Sequence, residues 1–473
     1  MKANRTVFIL FLLSIFVFNV QSKVNLPSII GDGMVLQQNS ITRIWGKSEP
    51  LTKISVRVSW DESVVETMSS DKGYWQLCIK TPNAGGPYNI FISDGDELIL
   101  EDILIGEVWL CSGQSNMEMP MKGFKGQPIE NSQEMISSAV SKRNIRMFTV
   151  ERNYSRTECD DVKGRWVKNT PENVGNFSAV GYFFADKLQR TLDIPVGIIN
   201  SSWSASYIEA WLSVESLRNF PEYNIDSIYS DSIKKVHSTP GIMYNAMIKP
   251  IGNYNIKGIL WYQGESNILE PAKYKKMFKE WLNQNRKLFR NESMPVYYVE
   301  IAGYAQPYNL PIQRAVFKEA QIQLMKELNN VGIVTTTDIG DSLFIHPKYK
   351  KEIGERLCYW ALAKTYCING IEYCGPIVNS YSINENKIEI TFDYAENGLI
   401  PELECIDGFE LIDKNEKSHP VKANVIRGTN KILIEYNSEI GEFKEIRYCF
   451  KNFQLGRLKN TAGLPAAAFR IKL

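Results

Sequence analysis

From Ile103 onward the sequence alternates short apolar β-type runs with amphipathic helical runs, and that alternation admits few folds. Strands are predicted at Ile103–Leu110, Ile145–Val150, Val196–Asn200, Lys257–Tyr262, Val296–Ile301 and Val331–Thr337. Helices are predicted between them, at Ala179–Leu192, Tyr274–Leu288, Lys318–Leu328 and Lys348–Tyr366. The expected class is therefore α/β, a parallel sheet covered by helices on both faces. In such sheets a ligand sits beyond the carboxyl ends of the strands, which is where chemistry is sought.

The flanks read differently. Residues 23–102 and 374–473 carry short alternating runs separated by turn residues, which predicts a small β-sandwich domain at each end and leaves 103–373 as the central domain. Trp60 and Trp75 of the first are expected to face inward as sandwich core. Residues 1–22 read as a signal peptide: Lys2 and Arg5 precede the apolar run from Val7 to Phe18, with small residues at Val20 and Ser22 before a cleavage point. The expected protein is exported, to a periplasm or outside the cell, with no membrane span in its mature chain. With 54 basic against 53 acidic residues, it has no general attraction for nucleic acid.

Eight cysteines are scattered through the chain; several are expected as buried free thiols, and Cys367 and Cys374 are close enough to pair. Only three histidines are present and no cysteine or histidine cluster, so no metal is expected.

Ser115, in Cys111-Ser112-Gly113-Gln114-Ser115-Asn116-Met117, follows the first predicted strand and is the candidate nucleophile. A serine attacks an ester usefully only when a base takes its proton. His237 and His419 fall in polar stretches, whereas His346 lies in a loop after the strand ending at Thr337, either as that base or as a cap of the next helix. Gln263, Gly264, Glu265 and Asn267 crowd the end of a further strand, and Ser204, Ala205 and Ser206 form a loop of small residues able to present N–H groups to an oxyanion. Asp341 and Asp338 precede His346 in its own loop, and one of them or a backbone carbonyl would orient the imidazole; Asp341 is the nearer in sequence.

In order, Gly113-Gln114-Ser115-Asn116-Met117, Trp261-Tyr262-Gln263-Gly264-Glu265-Ser266-Asn267 and Ile345-His346-Pro347 resemble the signature blocks of the sialate O-acetylesterase family of the SGNH-hydrolase superfamily. Gly85-Gly86-Pro87-Tyr88, Phe177-Ser178-Ala179-Val180, Ser202-Trp203 with Ile208-Glu209-Ala210-Trp211, Tyr244-Asn245 and Gly463-Leu464-Pro465 extend the likeness over nearly the whole chain. The resemblance implies a flavodoxin-like hydrolase domain between β-sandwich modules, removing acetyl groups from sialic acids or related O-acetylated sugars without a cofactor. It makes Ser115 the nucleophile and His346 the base. The Ser115 N–H, the Gln263 side chain and a backbone donor near Ser204 are expected in the oxyanion hole, with Asn116, Glu265 and Asn245 assigned to substrate binding.

Two departures stand out. Ser204-Ala205-Ser206 replaces the glycines many members carry after the Ser-Trp pair, and Leu343 and Phe344 occupy the places where the orienting aspartate is usual. The alternatives are a carbohydrate-binding protein that has lost turnover and an acetylesterase acting on xylan or another plant glycan.

Overall fold

In the computed structural model the described residues are 24–140, 144–225, 233, 235–305 and 311–473, so the expected signal peptide lies outside them. The longest strand is the spine. This strand, β1 (Glu97–Gly113), runs for 17 residues. Its first part pairs antiparallel with Gly85–Ser93 of the N-terminal module. From Ile103 on every residue is buried, the pattern of a parallel strand covered on both faces. The strand thus begins six residues earlier than its apolar run suggests. It crosses residue 103 without a break.

The central sheet adds β2 (Ile145–Thr149), β3 (Val196–Ser202), β4 (Gly258–Tyr262), β5 (Val296–Val299) and β6 (Val331–Val334) in the order β2-β3-β1-β4-β5-β6, all parallel. Register sets Gly113 level with Ser202 on one side and with Tyr262 on the other. Three strand ends therefore open side by side, with the order of the chain reversing at β1 and β4.

Helix α1 (Ser115–Glu118) follows β1 directly. Four longer helices cover the sheet: α2 (Ala179–Leu192), α3 (Pro271–Leu288), α4 (Gln313–Glu327) and α5 (Lys350–Trp360), the last continuing into a wider turn over Ala361–Thr365. Ser178 caps α2 by accepting from the Gly181 N–H, and Pro271 opens α3 where no N–H is needed. Successive residues of β5 divide the two layers: Tyr297 stacks on Trp360 of α5 while Tyr298 meets Phe278 of α3.

In the N-terminal module, Lys53–Val58 and Asp61–Met68 extend the sheet that begins on β1, and the ribbon of Ile41–Lys47 with Tyr74–Lys80 lies against it. Ile44, Trp75 and Leu77 bury with Ile54, Val56 and Ile92. Trp75 faces inward; Trp60 is half-buried, with its indole N–H on the Lys80 carbonyl. The C-terminal domain differs from the expected sandwich. It is one seven-stranded antiparallel sheet beside a two-stranded ribbon, around a core of its own that includes Phe392, Phe409 and Tyr448. Alternation shows that one face of each strand is buried; it does not say how many sheets share the core. All eight cysteines are free, Cys367 exposed and Cys374 buried, so the suggested pair is not formed. No helix among the described residues is long and apolar enough to cross a membrane.

Gly113 stands where β1 turns toward the serine. Its φ is +140°, and an added Cβ would lie 2.1 Å from the Tyr262 carbonyl oxygen on the neighbouring strand. Gly113→Ala is expected to destabilise the fold by on the order of 3 kcal/mol, read as a lower urea midpoint with unchanged slope.

Candidate active site

Ser115 opens α1 just past the end of β1 and is 7 % exposed. As the first residue of the helix its N–H has no acceptor within the helical ladder. The side chain of Gln114 turns back into the fold, its Oε1 accepting from the N–H groups of Gly264 (3.1 Å) and Ser266 (3.4 Å). That contact sets the loop after β4 against the serine turn.

Asn116 joins the site's three segments. Its Nδ2 donates to Glu265 Oε1 at 2.6 Å and to the Ile345 carbonyl at 3.2 Å, while its Oδ1 accepts from Lys350 Nζ at 2.5 Å. The residue after Ser115 is thus bonded to the residue before His346. No hydrogen bond links Ser115 to His346 in this structure; catalytic contacts of this kind commonly tighten only with substrate in place.

His346 Nδ1 lies 2.6 Å from Gln127 Oε1, and the imidazole packs edge-on against Phe124, 5.3 Å between ring centres. Burial, with the nearby positive charge of Lys350, pushes its pKa down to about 4. Lys350 itself is buried, and desolvation brings its pKa down to about 7 against the opposing pull of Glu265. The imidazole is neutral over the physiological range. It is available as a base.

Other expected roles fall differently. Asp341 Oδ1 accepts from the N–H groups of Leu343 (2.8 Å) and Phe344 (3.1 Å), holding its own turn, and Asp338 is bound by Arg356 and Lys459. Gln127 is the group on the histidine instead. Gln263 spends both amide hydrogens on the Ser206 carbonyl (3.1 Å) and on Asn267 Oδ1 (2.8 Å). The Asn267 amide is fixed in turn by Ile208 N–H and Glu209, so Gln263 supports the 204–206 loop rather than donating to an oxyanion. Its Oε1 is buried without a partner. Ser204 gives both its N–H (2.8 Å) and its hydroxyl to Glu118 Oε2, and Glu118 also accepts from Arg152 Nε at 2.5 Å. In the same loop the Trp203 N–H donates to the Gly113 carbonyl and that of Ser206 to Trp203. Ala205, between them, is held at φ +59°, a left-handed conformation that glycine takes without strain. Asn245 donates to the carbonyls of Ser155 and Arg156 and braces that loop. Glu265 and Asn116 are buried in the network described above.

Sequence reasoning missed Gln127, Glu118 and Lys350, and gave no role to Glu209 although Ile208-Glu209-Ala210-Trp211 is part of the family likeness. Only Lys350 carried a usable signal, a lysine four residues beyond His346 at the start of a helix, and its burial is invisible in the sequence.

A cavity of about 310 Å³ opens beside this cluster, lined in part by Glu118, Phe124, Arg152, Asn176, Asn200 and Ser202. It shares Thr149, Glu151 and Asn176 with a second cavity of about 540 Å³ that continues to Arg165 and Asn173. The lining mixes polar side chains, Glu118, Arg152, Asn176 and Asn200 among them, with apolar surface from Pro120, Phe124 and Val150. Among the described residues no group of histidine, cysteine and carboxylate side chains is placed to hold a metal.

Residues 105–363 match the family described as carbohydrate esterase, sialic acid-specific acetylesterase. The mouse sialate O-acetylesterase is 27 % identical over 510 aligned positions, covering 93 % of each chain, and its human counterpart is 26 % identical over 489, covering 93 % of this chain and 91 % of that one. A carbohydrate acetylesterase from Xanthomonas citri superposes with a TM-score of 0.85 at 29 % identity, over 95 % of this chain and 99 % of that one.

The Asn116 bridge gives the site a mechanical test. Asn116→Ala leaves Glu265, Lys350 and the Ile345 carbonyl without their shared partner, at an expected cost of on the order of 3 kcal/mol in urea denaturation. Acetate release should fall with it even under conditions where the variant is fully folded.

Proposed function

Because the chain belongs to the sialic acid-specific acetylesterase family of carbohydrate esterases, and is accordingly an esterase acting on acetylated sugars, we propose that it removes O-acetyl groups from sialic acids or related sugars through Ser115 and His346. The observation that carries this reading is the Asn116 amide, which ties the serine turn to the histidine loop through Ile345. The hydrolase domain is then a flavodoxin-like SGNH domain, for which the order of its central strands and a serine at the end of β1 speak. Export follows from the signal peptide read at residues 1–22.

In the proposed reaction Ser115 Oγ attacks the acetyl carbonyl carbon as His346 Nε2 takes its proton. The carbonyl oxygen becomes an oxyanion held by the Ser115 N–H, with an N–H of the loop at Ala205 as second donor, since those of Trp203, Ser204 and Ser206 are engaged. Collapse breaks the ester C–O bond, and His346 hands its proton to the departing sugar oxygen. Water, deprotonated by the same imidazole, then attacks the acetyl-serine, the Ser115 Oγ–acetyl bond breaks to release acetate, and His346 returns the proton to Ser115 Oγ. The sugar is assigned to the two adjoining cavities, the nearer of which is lined by Glu118 at the end of the serine helix and by Phe124, which packs on His346.

The test is acetate release from an aryl acetate and from O-acetylated sialic acid. Ser115→Ala and His346→Ala are each expected to lose at least about 10³-fold in kcat with the fold intact. Folded wild-type protein that releases no acetate but binds glycans would establish the carbohydrate-binding alternative, and preference for acetylated xylan would move the substrate to plant glycans. The pH profile provides a further check. A base whose pKa is pushed down to about 4 is unprotonated above that value, so kcat/KM should stay level from pH 7 to about 5 and fall to half near pH 4.

A further inference from the structure

The imidazole of His346 is held by a residue that no triad pattern singles out. Gln127 Oε1 faces Nδ1 at 2.6 Å. An amide oxygen only accepts, so the proton of the neutral ring sits on Nδ1 and the lone pair is left on Nε2, the tautomer a general base requires. Gln127 is placed by a compact turn: its N–H donates to the Phe124 carbonyl at 2.9 Å, and the Gly123 N–H donates to Pro120. Gly123, at φ +79°, comes so near the Gln127 carbonyl that a Cβ there would lie 2.3 Å from it. Phe124 of the same turn packs on the imidazole. One turn therefore fixes the ring at both its Nδ1 edge and its flank.

The surrounding charges do not replace a carboxylate. From α5 the facing group is Lys350, whose positive charge opposes an imidazolium. In the histidine's own loop Asp341 is spent on backbone N–H groups, and Lys348 pairs outward with Glu130 at 3.2 Å. From the loop after β4, Glu265 has one oxygen on Asn116.

We propose that Gln127 is the positioning residue of this site, its side-chain oxygen occupying the place an aspartate takes in a Ser-His-Asp triad. The inference rests on Ser115 and His346 being the reacting pair. A neutral acceptor fixes the tautomer and the ring plane but adds no negative charge beside the imidazolium. This esterase thus runs on a base oriented without being made more basic.

The test compares the full-length protein with Gln127→Glu and Gln127→Met, by kcat and KM against pH and by NMR of the imidazole nitrogens. With only three histidines, the His346 signals are identified by their loss in His346→Asn. In Gln127→Glu the His346 titration midpoint and the acid limb of kcat/KM are both expected to rise, by about 1–3 pH units. In Gln127→Met the ring should lose its single tautomer, and kcat should fall about 10- to 100-fold with KM changed by less than about twofold. A Gln127→Glu protein that titrates and turns over like wild type, while His346→Ala is inactive, overturns the proposal alone. Full turnover by His346→Ala overturns the underlying Ser-His reading, and the catalytic sense of the proposal with it.

Discussion

Everything at the strand ends depends on one buried carboxamide. Asn116 satisfies a carboxylate, a backbone carbonyl and an ammonium group at once, and so ties the serine turn to the loop after β4, to the histidine loop and to the start of α5, up to 234 residues away in the chain. Lys350 and Glu265 make no direct ion pair; the amide stands between them, donating to one and accepting from the other. Burying two ionisable groups is costly unless their polar atoms are satisfied, so each group pins the others in place. The arrangement works because the sheet delivers its parts in register. Gly113 and Tyr262 are level neighbours, so the residues just beyond them, Gln114 and Gly264, meet by construction.

The spine strand carries the same constraint back into the scaffold. Since β1 is an antiparallel partner in the N-terminal module and the central parallel strand of the hydrolase domain, the two share one rigid rod. Glu107 adds a tie across that rod, accepting from Gln38 at 2.7 Å and from the Tyr366 hydroxyl at 2.8 Å. The first module is thus a continuation of the sheet that aims the serine.

Much of this was written in the sequence, and the division is physical. Periodicity located the helix Ala179–Leu192 to the residue, because burial of one face and a serine cap both leave marks at fixed spacing. The place of Ser115 was legible because an apolar strand ending in glycine and small polar residues has few ways to continue. Side-chain direction was not legible. Gln263 and Asp341 have the right chemistry and the right loops, yet their hydrogen bonds run to backbone and to Asn267, which nothing in the spacing encodes. Gln127 belongs to a turn with no periodicity at all. It reaches His346 across 219 residues only because two separate loops meet in space.

Those same hidden contacts leave part of the molecule's unfavourable energy at the site. Gln263 Oε1 and Glu265 Oε2 are buried without partners, Lys350 is kept from water, and Ala205 holds a left-handed backbone, all within the loops around Ser115. In the scaffold beneath, Trp109, Trp261 and Tyr298 are packed and fully enclosed. A loop set with these defects would not hold its shape alone. Fixed to the ends of buried parallel strands it does, and dryness then acts on the chemistry: it keeps His346 neutral, lowers the affinity of Lys350 for its proton, and strengthens any N–H that meets a developing oxyanion.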